Sequence, residues 1–238
     1  MLAVSSPGGW RALATVLLDA GGNQKGYSRL MGEDAELLER WRGGEQDAGR
    51  ALFERYFESM FRFFRSKVPD AAEDLTQQVF LRCVKAKTQY QGRSSFRTYL
   101  FTIARNILYD HFRGCMRRGV AFVDGEVSVV DFGARSPSSW VQERDENRLL
   151  LRALRRLSVD MQVALELHYW EELTVVEIAE IVDAPVGTVK RRIQRARERL
   201  DQLIVEIGED VALVKSTADD FPRWAAELRQ NLAALSKA

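Results

Sequence analysis

Leu173-Thr-Val-Val-Glu-Ile-Ala-Glu-Ile-Val-Asp-Ala-Pro-Val-Gly-Thr-Val-Lys-Arg-Arg-Ile-Gln-Arg-Ala-Arg197 holds two short helices and the turn between them. Thr174 stands where a hydroxyl can accept from first-turn amides, so it caps a helix running to about 182. Ala179 is small at the point where a second helix must cross closely. Residues 183–186 make the turn, and the next helix runs over about 187–207. That helix opens on Gly187-Thr188 and turns basic at once. The order is that of a helix-turn-helix, whose second helix presents its first turns to the major groove. Val189, Ile193 and Ala196 recur at helical spacing and seat the helix. Gly187, Thr188, Lys190, Arg191, Arg192, Gln194 and Arg195 are the expected DNA contacts. Arg and Lys suit the acceptors of guanine and Gln suits adenine, while Thr188 and the helix N-terminus suit a phosphate. The plainer alternative is an amphipathic helix pair with a solvated basic face and no ligand.

Outward from this segment, helical periodicity dominates and no alternating strand pattern stands out. Helices are expected over 34–43, 46–67, 71–87 and 95–113. A glycine- and serine-containing linker follows, in which Val127-Ser-Val-Val130 has no clear strand partner. Helices resume at 139–157 and from Ser158 or Asp160 to about 170. The fold class is therefore all-α: two small helical domains, 31–115 and 139–206, joined by a flexible linker, 116–138, the second domain being the helix-turn-helix. Residues 1–30 read as a disordered tail. Within them, 12–18 loosely imitate a secretory signal that Asp19 cuts short. Residues 207–238 read as a C-terminal helical extension with an amphipathic helix over 220–236. It either packs on the second domain or docks across a functional face.

The chain has 238 residues, 46 % hydrophobic and 29 % charged, with a net charge of +1. Those values suit a soluble globular protein. Two cysteines make no disulfide framework, and no run is long enough to span a membrane, so a cytoplasmic protein is expected. The small net charge conceals segregation. Residues 82–118 and 190–199 are two basic blocks, and two such blocks suit two contacts on one polyanion. In the first block Phe96, Tyr99, Phe101, Tyr109 and Phe112 alternate with Arg93, Arg97, Arg105 and Arg113. Rings stack on unpaired bases while cations hold the backbone, although Phe96, Leu100, Ile103 and Ile107 also make an ordinary core stripe. His111 and Cys115 have a metal-like spacing but too few ligands for zinc. His168 reads as a packed helix residue and Glu171-Glu172 as a solvated helix end. No phosphate-cradling loop or nucleophile motif occurs, so no metal, cofactor or enzymatic activity is expected.

Asp74-Leu-Thr-Gln-Gln-Val-Phe-Leu-Arg82, then Ser95-Phe-Arg-Thr-Tyr-Leu-Phe-Thr-Ile-Ala-Arg-Asn-Ile-Leu-Tyr-Asp-His-Phe-Arg113, then the helix-turn-helix, closely resemble the extracytoplasmic-function group of bacterial sigma factors. The resemblance covers about 35–205 in the family's order. It implies that 74–81 dock on the clamp of core RNA polymerase through Asp74, Leu75, Gln77, Gln78 and Phe80. It implies that 90–113 open and capture the minus-ten element, with Arg93, Ser94, Phe96, Arg97, Arg105, Asn106 and Arg113 as contacts, and that the last helix pair reads the minus-thirty-five element. Tyr99 stands where the family often has tryptophan, and Gln78 where it often has glutamate. The implied function is an alternative sigma factor that directs transcription initiation, held in check by an anti-sigma protein or by its own C-terminal extension. A free-standing helix-turn-helix regulator, binding duplex promoter DNA without polymerase, is the competing reading.

Overall fold

The computed structural model describes residues 24–86, 90, 94–117 and 145–208, with side chains from 32 onward except at 116 and 145–148. Arg93, the Val127–Val130 stretch and the helix expected over 220–236 lie outside the described residues. Eight α-helices are described: α1 Gln24–Arg42, α2 Gln46–Arg65, α3 Ala72–Ala86, α4 Phe96–Arg117, α5 Asp145–Arg155, α6 Val159–Tyr169, α7 Val175–Val182 and α8 Val186–Ile207. There is no strand among the described residues. The all-α expectation holds. Helix α1 begins ten residues before the expected start at 34, inside the stretch read as tail, and α4 runs four residues past the expected 113. Periodicity locates an apolar face well and an exposed helix end poorly, because end residues bury little.

The chain divides into two compact units at Leu52/Phe53. In the first unit, Leu38, Trp41, Ala48 and Leu52 are buried. Gly44, with a φ of +104°, turns the chain between α1 and α2, a conformation that costs glycine little. Gly49 lies under the Trp41 indole, where a Cβ would come within 2.5 Å of ring atoms.

In the second unit, α3 packs on α4 and the apolar stripe of α4 is buried, from Phe96 through Leu100, Phe101, Ala104, Ile107 and Leu108 to Phe112. Pro69 opens a 3-10 turn, Pro69–Ala71, that redirects the chain into α3. Helices α5, α6 and α7 all pack on α8. Val189, Ile193, Ala196, Leu200, Leu203 and Ile204 of α8 are buried, as the spacing predicts. Helix α6 is covered on nearly every side, with Gln162 and Glu166 buried among Val163, Ala164, Leu165 and Leu167. A helix with so little amphipathicity must lie in the middle of a packed body. It does: α7 and α8 pack on it, and Ser66 and Lys67, just after α2, reach its Glu166. Helix α4 also packs directly against α7, so the two helical halves meet there.

Candidate nucleic-acid interface

Helix α7 carries a reciprocal cap. The Thr174 hydroxyl accepts from the Glu177 amide at 3.3 Å, and the Thr174 amide donates to Glu177 Oε2 at 2.8 Å. The helix ends at Asp183, whose φ of 51° places it in the left-handed region. Pro185 precedes α8, and no side chain caps that N-terminus. Gly187 and Thr188 are exposed there; the Thr188 and Val189 amides donate to the Pro185 carbonyl, so the amides ahead of Thr188 are the ones placed to meet an anion. Lys190, Arg191, Gln194 and Arg195 are exposed on one side of α8, opposite the buried Val189–Ile193–Ala196 seat. Gln194 Nε2 donates to Glu198 at 3.0 Å. Arg192 differs from the rest of the expected set. It is half-buried and pairs with Asp160 at 3.1 Å, so in this arrangement it braces α8.

The expected minus-ten residues separate further. Ser95 caps α4, accepting from the Thr98 amide at 3.0 Å, and Ser94 receives a hydrogen bond from the Tyr90 hydroxyl on its carbonyl. Phe96 is only 4 % exposed and faces Tyr56 and Tyr90, so it is core and no base platform here. Asn106 is exposed beside Arg105, whose guanidinium lies 4.4 Å from the Tyr109 ring centroid. Arg113 is exposed and pairs with Asp110, which also meets Arg82 at 3.4 Å. The hydrogen bond from Arg113 holds the Asp110 carboxyl below its usual value against the opposing effect of burial, and Arg82 adds a lesser contribution in the same direction as Arg113. Tyr109 donates to Asp160, and Arg97 donates to the carbonyl and to Oε2 of Glu171, the latter at 3.0 Å.

These last contacts correct the expectation for Glu171. It is no solvated helix end: it is 4 % exposed, with Arg62 Nη2 at 2.6 Å from Oε1 and Arg97 on the other oxygen. Burial alone would raise its carboxyl, but Arg62 and Arg97 outweigh burial and hold it below the usual range. Glu172 beside it does remain exposed, with a φ of 52°. A second buried pair lies close by. Lys67 Nζ donates to Glu166 Oε2 and to the Phe63 carbonyl at 2.8 Å, and Ser66 and Gln162 also reach Glu166. Burial dominates this pair, lowering the Lys67 ammonium and raising the Glu166 carboxyl. His168 is packed as expected, its Nδ1 lying 3.2 Å from the Leu173 carbonyl.

On α3, Asp74, Gln77 and Gln78 are exposed on one side. Leu75 is 5 % exposed and belongs to the core, and Phe80 is half-buried with its ring centroid 4.7 Å from that of Phe53. The sequence reading missed three neighbours. Phe57, Leu81 and Val84 are exposed large apolar side chains. Leu81 and Val84 follow Gln77 by four and seven residues, so they share its helical face. An apolar residue on an otherwise polar face was the available signal. His111 and Cys115 lie 3.7 Å apart, and no group of three potential ligands gathers among the described residues. No described helix is long and apolar enough to cross a membrane.

A capped helix, a tight turn, a basic helix with an open first turn, and a second helical module rich in arginine and aromatic rings define a two-module DNA-binding protein of the helix-turn-helix class. Residues 52–118 match the model of sigma-70 region 2, and residues 147–200 match that of sigma-70 region 4. The ECF RNA polymerase sigma-E factor of Escherichia coli (strain K12) is 30 % identical over 179 residues, which cover 72 % of this chain and 94 % of that protein. The ECF RNA polymerase sigma factor BldN of Streptomyces coelicolor is 35 % identical over 173 residues, covering 71 % of this chain and 65 % of BldN. Among solved structures, the sigma factor RpoE in complex with the anti-sigma factor NepR from Bartonella quintana superposes with a TM-score of 0.54 at 25 % identity, covering 67 % of this chain and 98 % of that one. The chain belongs to the extracytoplasmic-function group of the sigma-70 family of RNA polymerase sigma factors.

Proposed function

We propose that this protein binds core RNA polymerase, engages the minus-ten and minus-thirty-five promoter elements through its two helical modules, and directs transcription initiation. The observation that carries this reading is the pairing of both sigma-70 regions in order with exposed basic residues, Lys190 and Arg191, just after the first turn of α8. Gly187, Thr188, Lys190, Arg191, Gln194 and Arg195 are the proposed minus-thirty-five contacts, with Arg192 joining them when Asp160 lets it go. Ser94, Arg97, Arg105, Asn106 and Arg113 are the proposed minus-ten contacts, together with Arg93. Asp74, Gln77, Gln78 and Phe80 form the proposed polymerase face, to which Phe57, Leu81 and Val84 add exposed apolar area. Exposed apolar side chains beside hydrogen-bonding ones suit a protein partner. The protein works by binding alone, with RNA synthesis left to polymerase, and acts in the cytoplasm. The relative RpoE is solved with an anti-sigma factor, and we assign this chain an inhibitor of the same kind. The test is transcription by purified core polymerase with and without the protein on cognate promoters. Stimulation supports the reading. Duplex binding without polymerase, and no effect on its transcription, would replace it with a free-standing regulator.

A further inference from the structure

The ionic cluster between the two modules has a composition that ordinary packing does not require. Glu171 offers its two carboxylate oxygens to two guanidiniums, Arg62 and Arg97. Charge-assisted hydrogen bonds from arginine are also how a protein holds a phosphate oxygen. Arg97 already belongs to the basic helix proposed to meet the minus-ten region. The cluster is also incompletely satisfied: Arg62 Nε and Gln162 Oε1 are buried without a partner. Buried ion pairs repay their desolvation only with good geometry and full hydrogen bonding. This clasp is therefore specific in register yet weak in net stability.

Distance supplies the second argument. The two promoter elements lie, by their names, about 25 base pairs apart, on the order of 80 Å at ~3.4 Å per step. Here α4 packs on α7, the helix that leads into the recognition helix, and packed helices have axes roughly 8–10 Å apart. This arrangement cannot reach both elements. The segment from Arg117 to Asp145 has a contour of about 90 Å at ~3.3 Å per residue, long enough for the modules to part.

We propose that Glu171 is an internal stand-in for a DNA phosphate. It occupies, on Arg62 and Arg97, the place that promoter backbone takes once the α5–α8 module lifts away, while Lys67–Glu166 locks the closed register. Arg62 is thereby a further DNA-backbone contact. The inference rests on the sigma-factor reading above. Closed and promoter-bound states exclude each other, and a ligand that binds only the open state shifts the population toward it.

The two halves of the clasp give the test, using the full chain, core polymerase and a promoter duplex. Glu166→Gln with Glu171→Gln should raise the radius of gyration in X-ray scattering and tighten holoenzyme formation by roughly tenfold. Arg62→Ala should also raise the radius, yet promoter affinity of its holoenzyme should fall severalfold, with the salt slope reduced by about 1. Lys67→Met with Glu166→Leu replaces the buried pair by apolar side chains and should hold the closed state, weakening holoenzyme formation. That variant keeps its core, so it separates opening from misfolding, and circular dichroism checks the others. A double-glutamine variant with the parent's radius and polymerase affinity overturns the clasp. So does an Arg62→Ala holoenzyme with unchanged promoter affinity and slope, or an apolar pair that binds polymerase better. A parent chain that forms no holoenzyme at all overturns the sigma-factor reading and the clasp with it.

Discussion

Thr174 gives the simplest residue-scale test, because its side chain serves one purpose. It closes the α7 N-terminus reciprocally with Glu177. Thr174→Ala should cost about 1 kcal/mol of stability in urea unfolding, within the range usual for lost caps. A midpoint unchanged in the variant would show the cap to be redundant. The two cysteines give a second test. Cys83 is 1 % exposed and burial pushes its thiol up to about 12, whereas Cys115 is half-buried. The thiolate is the reactive form, so at pH 8 a maleimide should label Cys115 and spare Cys83. Cys83 should react only in denaturant, or near pH 12 if the fold survives, and peptide mapping reads both. At this scale the sequence showed the cap and the α8 seat, because each depends on neighbours three or four positions away. It hid the environment of Glu171, whose partners Arg62 and Arg97 are 109 and 74 residues distant. An adjacent pair of glutamates looks solvated until the opposing surface is known.

At the scale of elements, α8 and α3 carry the proposed DNA and polymerase faces. Arg191→Ala should cost about 1–3 kcal/mol in minus-thirty-five binding and relax specificity at one base pair. Equal binding to every promoter variant, at the parent's strength, would remove Arg191 from the recognition set. On α3, Leu81 is 52 % exposed. Leu81→Glu should leave thermal stability nearly unchanged, since surface substitutions rarely exceed 0.5 kcal/mol, while weakening capture by core polymerase. Undiminished capture would move the docking face elsewhere. Each of the eight described helices was legible from period and caps. Core and surface were less separable on α3 and α4, where Leu75 and Phe96 proved to be core. An aromatic or apolar residue at a stripe's edge satisfies both patterns, and only the packed neighbour decides.

For the whole molecule, the arrangement of the two modules escaped the sequence altogether. A linker rich in small residues suggests independent domains, yet α4 and α7 pack together and the buried charges sit at their junction. This makes a prediction about salt. Pairs that are out of solvent are screened little, whereas promoter binding releases counterions. Between about 50 and 200 mM salt the radius of gyration of the free protein should stay constant while holoenzyme–promoter affinity falls by on the order of a thousandfold. Expansion of the free protein over that range would mean that exposed charges hold the modules together.

The same cluster has a consequence for inheritance. Arg62 and Arg97 share Glu171, and Lys67 pairs with Glu166 close by, so the effect of changing one depends on the others. A lineage that loses Glu171 strands two guanidiniums, and one that loses Lys67 strands a carboxylate. Single steps away from this set are penalised, while compensated steps are tolerated. Descendants of this chain should therefore change these five positions together or keep them all.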